Sequence, residues 1–524
     1  MGMYLNPGAG LLRQARKSKI YIDKSELIAI LNDSFFTEQK YLCISRPRRF
    51  GKSMAANMIS AYYDRTVNQQ EAFKGLKITE DKSFGEYAGQ CDVLKINMQN
   101  FLSTSKDIDD LLKILQEFPA HELLKAYPDV DYLNEGNLPL CMEQIYVETG
   151  RHFVIIIDEW DCVMREHQGD LDAQKKYLDF LRTWLKDREY VGLAYMTGIL
   201  PIKKYGTHSA LNMFREFSMT SPGDLAPFFG FTEQEVQGLC ETWGRDFETC
   251  KTWYDGYQLP IAGSLYNPRS VVEAMTSGFF DTYWNKTETV DALTKYITLN
   301  FDGLRDAVIA LMAGDRKEIN ALKFANDMTS FKNADDVLTL LVHLGYLGYD
   351  WYSKEVFIPN QEIQQEYRNS MEDGGWEEIV KSIKASDELL KATLKGDEDA
   401  VAQGLENAHF ETSHLQYNDE NALSYTVSLA YYSARQMYLV QREMPAGKGF
   451  ADLVFLPRPR HLDKPALLIE LKWDKDAKTA LDQIRERQYV KALDGYTGEI
   501  LLVGASYDTK SKKHTCRIEK MTVK

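Results

Sequence analysis

The stretch "SRPRRFGKS", Ser45–Ser53, decides how the first half of the chain is interpreted. Its end matches the phosphate-binding pattern G-x-x-x-x-G-K-[ST], in which backbone N–H groups surround phosphates, the lysine reaches the β- and γ-phosphates and the Ser/Thr holds Mg²⁺. Gly51, Lys52 and Ser53 are in register with that pattern, but Arg46 occupies the position of its first glycine. The stretch therefore predicts a nucleotide site whose first turn is altered.

The residues that precede Gly51 are unusual for such a loop but fit its chemistry. Pro47 fixes φ and so makes a turn without glycine. The guanidinium groups of Arg46, Arg48 and Arg49 add hydrogen-bond donors that would face a triphosphate, although each arginine could instead pair with a neighbouring acid. The predicted nucleotide-binding residues of the loop are Arg46, Pro47, Arg48, Arg49, Phe50, Gly51, Lys52 and Ser53.

A second signal is the stretch "HFVIIIDEWD", in which an apolar run ends in Asp158 and Glu159. Acidic residues at the C-terminal end of a buried parallel strand lie where open α/β sheets bind ligands. Asp158 could hold Mg²⁺ through water, and Glu159 could polarise the water that attacks the γ-phosphate. Two alternatives stay open: a strand that ends in solvated acids, and a phosphotransferase in which Glu159 or Asp161 activates another acceptor. The sequence has no kinase acceptor signature.

Around these motifs, short apolar runs alternate with helical stretches, which predicts a parallel α/β sheet. Between the third and fourth predicted strands, apolar residues recur at helical spacing from Tyr177 to Leu185. A helix that begins at Lys52 would point its N-terminus at a bound phosphate. The predicted strands are "YLCIS" (Tyr41–Ser45), "DVLKINM" (Asp92–Met98), "HFVIIID" (His152–Asp158), "GLAYMT" (Gly192–Thr197) and "EFSMT" (Glu216–Thr220).

Length and composition indicate a globular protein of several domains. The 524 residues, 44% of them hydrophobic, exceed the ~250–300 at which single cores stop growing. No apolar run approaches the ~18 residues of a membrane span and the N-terminus lacks an apolar signal core, so we expect a cytoplasmic protein without membrane contact. The seven cysteines include no C-x-x-C pair, so we expect buried thiols and no zinc site.

The charge distribution bears on nucleic-acid binding. A net charge of −15 argues against non-specific binding of nucleic acid. Residues 441–524 nevertheless hold 17 basic residues against 12 acidic ones. The alternative to a nucleic-acid surface is a solvated tail, which a stretch such as "KSKKHTCRIEK" often forms.

The middle of the chain, residues 226–400, is predicted to be mostly helical. Within it, "DDVLTLLVHLGYLGYDWYSKEVFIPN" has the pattern helix, strand, tight turn, strand, which resembles a winged helix over residues 321–370. Winged helices bind DNA, but they also serve as packing modules inside ATPases, and both roles stay open. We therefore predict an α/β domain with a parallel sheet over 1–225, a helical lid and middle region over 226–400, and a C-terminal α/β domain over 401–524.

The C-terminal domain carries charged residues inside an apolar strand, "ALLIELKW". Glu470 and Lys472 are two positions apart, so both project from one face of the strand. Asp452, on the preceding strand, could meet them across a hairpin. Two carboxylates on one face can hold Mg²⁺, and a neighbouring lysine can orient or deprotonate a water for attack on phosphorus. A merely solvated Glu–Lys pair is the alternative, but two unpaired charges are costly to bury in an apolar run.

Six stretches within about residues 1–285 follow one another as in the AAA-ATPase-like domain common in bacteria: "YIDKSELI", "SRPRRFGKSMAANMI", "FVIIIDEWD", "TGILPIKKYGTHSALNMF", "FFGFTEQEV" and "LYNPRSVV". The resemblance implies a P-loop ATPase related to the archaeal-type and STAND ATPases, in which Arg46 is a familiar variation. It also suggests that Thr197 is the polar sensor residue near the γ-phosphate. No arginine finger stands out, and Arg215 is a candidate.

The C-terminal pattern resembles the PD-(D/E)XK nuclease superfamily over about residues 405–510. The resemblance implies a restriction-endonuclease-like α/β fold with Asp452, Glu470 and Lys472 as the D…E-x-K core. Ala451 replaces the proline that names the superfamily, a frequent substitution that leaves the chemistry intact. Three polar residues on flanking helices match further family positions: the early helical acid Glu420 and the trailing Gln483 and Tyr489.

Together the two resemblances predict an ATP-regulated, Mg²⁺-dependent nuclease that acts on DNA rather than RNA, in defence against foreign DNA or in mobile-element biology. The alternative is a nucleotide-dependent switch or scaffold whose C-terminal domain binds without cutting, which the charge of −15 favours. The sequence leaves open ATP versus GTP, whether Asp23 reads the base or caps a helix, and whether a homo-oligomer supplies the missing finger. The predicted metal ligands are Ser53, Asp158, Asp452 and Glu470.

Overall fold

Two units of mixed α/β structure make up the fold. The first comprises Met1–Thr289 and Glu318–Glu366, and the second comprises Val290–Lys317 and Tyr367–Lys524. The boundaries of the three domains expected from the sequence stay a prediction. The computed structural model describes residues 2–523 except for 203, 206–207, 210, 285–290, 300, 326–327, 329–330, 374–376, 412–422, 424–426, 429, 447–448, 459–460, 488–495 and 497.

The first unit is built on a parallel sheet of five strands. Its strands are β1 (Tyr41–Ser45), β2 (Asp92–Asn97), β3 (Phe153–Asp158), β4 (Val191–Gly198) and β7 (Arg215–Phe217). Between β4 and β7, the short strands β5 (Lys204–Tyr205) and β6 (His208–Ser209) pair with each other. Their order is β2-β3-β4-β1-β7, and every neighbouring pair is parallel. Strands β1, β3 and β4 are buried along their whole length, as expected for a parallel sheet covered by helices. The predicted parallel α/β class is confirmed.

Helices precede and follow these strands. A small antiparallel sheet consists of β8 (Phe231–Thr232), β9 (Tyr257–Leu259) and β10 (Gly263–Tyr266), in the order β8-β10-β9. Helix α10 (Leu171–Leu185) is amphipathic as predicted, because Tyr177, Leu181 and Trp184 are buried on one side of it. Asp170 caps its N-terminus by accepting a hydrogen bond from the N–H of Ala173. The remaining elements up to residue 289 are α1 (Gly10–Arg16), α2 (Leu27–Ser34), α3 (Lys52–Tyr63), α4 (Gln69–Ala72), α5 (Phe84–Tyr87), α6 (Met98–Thr104), α7 (Ile108–Ala126), α8 (Leu138–Thr149), α9 (Cys162–Glu166), α11 (Glu233–Trp243), α12 (Phe247–Tyr254) and α13 (Pro268–Ser277).

The middle of the chain is mostly helical. Its elements are α14 (Asp291–Ile297), α15 (Leu304–Met312), β11 (Lys317–Glu318), α16 (Ala334–Leu344), β12 (Gly348–Asp350), β13 (Glu355–Phe357), α17 (Gln361–Asp373), α18 (Glu377–Lys395) and α19 (Glu398–Glu411). Strands β12 and β13 pair antiparallel directly after α16, so the helix and hairpin expected there are present. Their assignment as a winged helix stays a prediction.

The second unit contains a mixed five-stranded sheet in the order β14-β15-β16-β17-β18. Its elements are β14 (Tyr438–Ala446), β15 (Gly449–Pro457), β16 (Ala466–Trp473), α20 (Ala477–Glu486), β17 (Gly498–Asp508) and β18 (Lys513–Val523). Only β16 and β17 are parallel, and the other neighbouring pairs are antiparallel. Apolar residues of α20 pack on one set of strand residues and those of α18 and α19 on another.

The basic stretch near the end of the chain corrects one expectation. It is not a solvated tail but forms the edge strand β18. His514 and Cys516 are buried while Lys513 and Thr515 are exposed, which is the two-residue alternation of a strand with one solvated face. The alternation is hard to detect in the sequence, because charged residues are frequent in this stretch.

Two findings concern the class of the protein. Among the described helices, none has the length and apolar character that crossing a membrane requires. All seven cysteines are buried free thiols, as predicted. Burial raises the pKa of the Cys43 and Cys162 thiols, so these residues act as packing groups.

Candidate functional site

The loop, Asp158 and Thr197 meet at one edge of the parallel sheet. The loop follows β1, Asp158 ends β3, and Thr197 lies near the end of β4, the strand between them. Thr197 is paired with Ile44 of β1 and donates its hydroxyl hydrogen bond to Asp158 Oδ1. Both side chains are buried. The carboxyl ends of the three parallel strands therefore form one polar site, where α/β sheets bind ligands.

The loop encloses a positive charge. Gly51 has φ of 86° and precedes α3, and Arg49 also has a positive φ of 67°. The Lys52 ammonium donates hydrogen bonds to the carbonyl oxygens of Arg46 (2.9 Å) and Pro47 (2.8 Å). Burial lowers the pKa of Lys52, and nearby carboxylates oppose that shift. A phosphate group that entered the loop would take over this ammonium from neutral carbonyls.

A cavity of about 950 Å³ lies against the loop. Its polar lining includes Arg48, Lys52 and Ser53, and its apolar lining includes Ile22 and Phe231. The N-terminus of α3, a helix of 12 residues, begins at this cavity, and helix N-termini favour bound anions. Size, charge and apolar surface together fit a nucleoside triphosphate.

The Arg46 side chain does not face this cavity, which corrects the expectation that it adds a donor to the phosphates. Its guanidinium is completely buried and donates to the carbonyl oxygens of Ser45 (3.0 Å) and Phe217 (2.8 Å). It also lies over the ring of Phe229. Burial lowers the pKa of Arg46 to about 10. The reason is that carbonyls at the ends of β1 and β7 need donors, and Arg46 supplies them.

The other loop side chains have different surroundings. Arg48 lines the cavity, and burial lowers its pKa. Arg49 also lines it but donates to the carbonyl oxygen of Tyr283 at 2.9 Å. Phe50 is buried and packs edge-on against Tyr257. Arg48 is therefore the arginine of the loop best placed to contact a phosphate.

Two residues that the sequence left open have local roles. Asp23 accepts hydrogen bonds from the N–H groups of Ser25 (2.9 Å) and Lys77 (2.7 Å) and so links two backbone segments. It does not cap α2, which begins after Glu26 without a side-chain cap. Arg215, the candidate arginine finger, lies exposed at the start of β7 and over the ring of Phe217. It is not among the residues that line the cavity.

The acids after β3 have unequal surroundings. Glu159 has φ of 56°, and its carboxylate lies 2.5 Å from the guanidinium of Arg165. Burial raises the pKa of Glu159, and Arg165 opposes that shift. Asp161 is completely buried, and its Oδ2 accepts from the N–H groups of Ile199 (3.0 Å) and Leu200 (2.9 Å). Its burial keeps it out of reach of an acceptor substrate. Arg165 was missed, although its i, i+4 spacing from Asp161 on α9 was a usable signal.

In the second unit, the carboxylates expected at the metal-dependent site converge. Asp452 Oδ2 accepts from the N–H of Leu471 at 2.7 Å. The Glu470 carboxylate accepts from Lys472 Nζ at 3.1 Å and from the Gln483 amide. Burial, together with the charge of Asp452, raises the pKa of Glu470 to about 7. Strands β15 and β16 thus bring two acids and a lysine into one site, and helix α20 adds the glutamine.

The second oxygen of Glu470 suits a metal ion. Oε2 is buried and has no hydrogen-bond partner among the residues that the structure describes, and the charge of Asp452 lies close by. Mg²⁺ prefers carboxylate and water oxygens, so the pair fits this ion. In the described part of the chain, no group of three or more His, Cys, Asp or Glu side chains is placed to hold a metal. The predicted Glu420 and Tyr489 lie outside the described residues.

Comparison with protein families divides the chain in the same way as its two sites. Residues 12–207 match a family described as "Predicted AAA-ATPase". Residues 419–516 match a family described as "PD-(D/E)XK nuclease superfamily". No curated protein matches the chain.

Several solved structures show a weak similarity to the chain. Cdc6p from Pyrobaculum aerophilum is 8% identical, with a TM-score of 0.23, and the match covers 67% of this chain and 93% of that one. The ORC2 protein of Aeropyrum pernix, in ADPNP–ADP complexes, is 13% identical, with a TM-score of 0.24 and coverage of 68% and 97%. The ORC1 protein of Aeropyrum pernix, in complex with DNA, is 10% identical, with a TM-score of 0.24 and coverage of 94% and 100%.

Proposed function

Because the chain joins an AAA-ATPase-like domain to a PD-(D/E)XK nuclease superfamily domain, we propose that it hydrolyses ATP and that the nucleotide controls Mg²⁺-dependent cleavage of DNA. The observation that carries the proposal is the convergence of Asp452, Glu470 and Lys472 in a chain that also has the Lys52 loop. The proposed location is the cytoplasm, and the proposed role is defence against foreign DNA or mobile-element biology.

In the proposed ATPase site, the chain's own residues bind and orient the nucleotide. Lys52 exchanges its loop carbonyls for phosphate oxygens. Ser53 and Asp158 are the proposed Mg²⁺ ligands, and Thr197 fixes the orientation of Asp158. Mg²⁺, when bound, offsets the negative charge of the phosphates. Glu159 orients and polarises the water that faces the γ-phosphate.

In the proposed nuclease site, Asp452 and Glu470 hold the metal ion and Gln483 orients Glu470. Lys472 orients a water or a phosphate oxygen of the nucleic acid. Buried Glu470 would be a costly unpaired charge without a partner cation, and both Lys472 and a metal ion supply one. Glu420 and Tyr489 belong to the same proposal.

The test is cleavage of linear, circular and single-stranded DNA, and of RNA, with Mg²⁺ or Mn²⁺ and with or without ATP. Wild type is compared with Lys472→Ala and Lys52→Ala, and Lys478→Ala is the control because that lysine is exposed. We expect cleavage that Lys472→Ala abolishes and Lys52→Ala makes insensitive to ATP. A wild type that binds ATP but cuts none of these substrates would favour the nucleotide-dependent switch or scaffold instead. A wild type that binds no nucleotide would refute the ATPase half of the proposal.

A further inference from the structure

The Glu159 carboxylate is held by an arginine that the proposed mechanism leaves without a role. Arg165 Nη2 lies 2.5 Å from Glu159 Oε2, and Arg165 Nε lies 3.2 Å from Asp161 Oδ2. The Arg165 side chain is 8% exposed, whereas that of Glu159 is 25% exposed. Both residues line the cavity beside the loop. The arginine thus donates a hydrogen bond to Glu159 and forms an ion pair with Asp161, without hydrogen-bond geometry, at the wall of the cavity.

The two acids differ in burial and in the number of hydrogen bonds that hold them. Asp161 is completely buried and is fixed by the N–H groups of Ile199 and Leu200. A side chain at Gly198 would approach Asp161 Oδ1 to 2.7 Å, so the backbone is tightly packed there. Glu159 is more exposed. Within the described part of the chain, its carboxylate accepts one hydrogen bond, from Arg165, with which it also forms an ion pair. Of its two partners, Arg165 can therefore release Glu159 more readily than Asp161.

We propose, resting on the ATPase function proposed above, that Arg165 is a nucleotide-binding residue: it pairs with Glu159 before ATP binds, and it moves to the terminal phosphate and releases Glu159 when ATP binds. Asp161 keeps the guanidinium at the pocket during this exchange. A guanidinium binds phosphate oxygens at least as well as a carboxylate, because its planar donors match both. Glu159, once released, turns its carboxylate toward the water that faces the γ-phosphate.

This exchange predicts that Arg165 discriminates ATP from ADP. A charge-assisted hydrogen bond to the terminal phosphate corresponds to about 10- to 100-fold in affinity. Arg165→Ala should therefore weaken binding of a non-hydrolysable ATP analogue by about that factor. Binding of ADP should change by less than about twofold, because ADP lacks the phosphate that Arg165 contacts.

The exchange also predicts an effect that a merely structural arginine would not produce. Glu159 competes with the phosphate for Arg165, so Glu159→Gln should raise affinity for the ATP analogue about three- to tenfold. That gain should disappear when Glu159→Gln is combined with Arg165→Ala. Arg165→Lys keeps one charge and should restore part of the lost affinity, although lysine lacks the planar fork.

The experiment is isothermal titration of the full chain with Mg²⁺ and either ADP or the ATP analogue, in these variants and in Arg182→Ala. Arg182 is a half-exposed arginine of α10 that does not line the cavity, so its loss should change neither affinity. Circular dichroism shows which variants are folded, and Arg165→Lys carries the test if Arg165→Ala is not. Equal weakening of both nucleotides, or an affinity gain in Glu159→Gln that survives Arg165→Ala, would overturn the inference. Failure of wild type to bind either nucleotide would instead refute the proposed function and the inference with it.

Discussion

Lys472 donates a hydrogen bond to Glu470 across 3.1 Å, and both side chains are almost completely buried. Removal of one member of a buried pair leaves an uncompensated charge, which costs roughly 3–5 kcal/mol. A loss of activity in a single variant could therefore reflect unfolding of the second unit. Replacement of both members distinguishes a loss of stability from a loss of the catalytic groups, because the double variant keeps no unpaired buried charge.

We expect Glu470→Gln and Lys472→Met each to lower the free energy of unfolding of the second unit by roughly 3 kcal/mol. The double variant should recover most of that loss, because no unpaired charge remains. DNA cleavage should fall at least ~100-fold in all three, since the groups act together. Urea unfolding followed by circular dichroism gives the stabilities, and a cleavage assay gives the rates. Cleavage that persists in the folded double variant would exclude this site.

The nucleotide loop gives a second prediction, about binding. Lys52 donates hydrogen bonds to the carbonyl oxygens of Arg46 and Pro47. A bound phosphate would replace these neutral acceptors with charged oxygens. Lys52→Ala should lower affinity for Mg·ATP by about 10- to 100-fold. Equilibrium binding of a fluorescent ATP analogue measures this, with the exposed Lys113→Ala as the matched control. Unchanged affinity in folded Lys52→Ala would mean that the loop does not bind the phosphates.

Arg46 shows which part of the site the sequence could not predict. The strands, the loop and the acids after β3 followed from apolar runs and spacing, because a parallel sheet brings the carboxyl ends of its strands to one edge. The direction of the Arg46 side chain depends instead on carbonyls of Phe217, a residue 171 positions away. The edge strand β14 was also missed, because it contains Pro445 and charged residues and its apolar alternation is weak.

This difference predicts separate effects for the loop arginines. Arg46→Met should lower the free energy of unfolding of the first unit by roughly 2–4 kcal/mol, because it leaves buried carbonyls without donors. Nucleotide affinity of the folded variant should change by less than about twofold, since the guanidinium does not line the cavity. Arg48→Ala should instead weaken nucleotide binding and leave the free energy of unfolding nearly unchanged. Chemical denaturation measures the stability of both variants, and equilibrium binding measures their nucleotide affinity. Weaker nucleotide binding by Arg46→Met without any loss of stability would contradict this prediction.

Glu362 provides a prediction about pH. Its carboxylate, at the start of α17, accepts hydrogen bonds from the Ser270 hydroxyl (2.8 and 2.9 Å) and from the N–H of Tyr283 (2.7 Å). The residue is 1% exposed, and burial raises its pKa to about 7, with the charge of Glu366 acting in the same direction. The folded protein therefore binds this proton more tightly than the unfolded chain, in which the group titrates near 4.5.

Stability that depends on this proton is fully present below about pH 4.5 and is lost as pH rises through about 7. The shift corresponds to roughly 2–3 kcal/mol across that window. In Glu362→Gln no proton is exchanged, so the variant should gain stability relative to wild type by about that amount between pH 5 and pH 8. Denaturant unfolding of the first unit at four pH values measures the difference, in which all other titrating groups cancel. Glu71→Gln, a change at an exposed carboxylate of the first unit, should show no such trend. If the difference between wild type and Glu362→Gln is the same at every pH, Glu362 does not hold a proton in the folded protein.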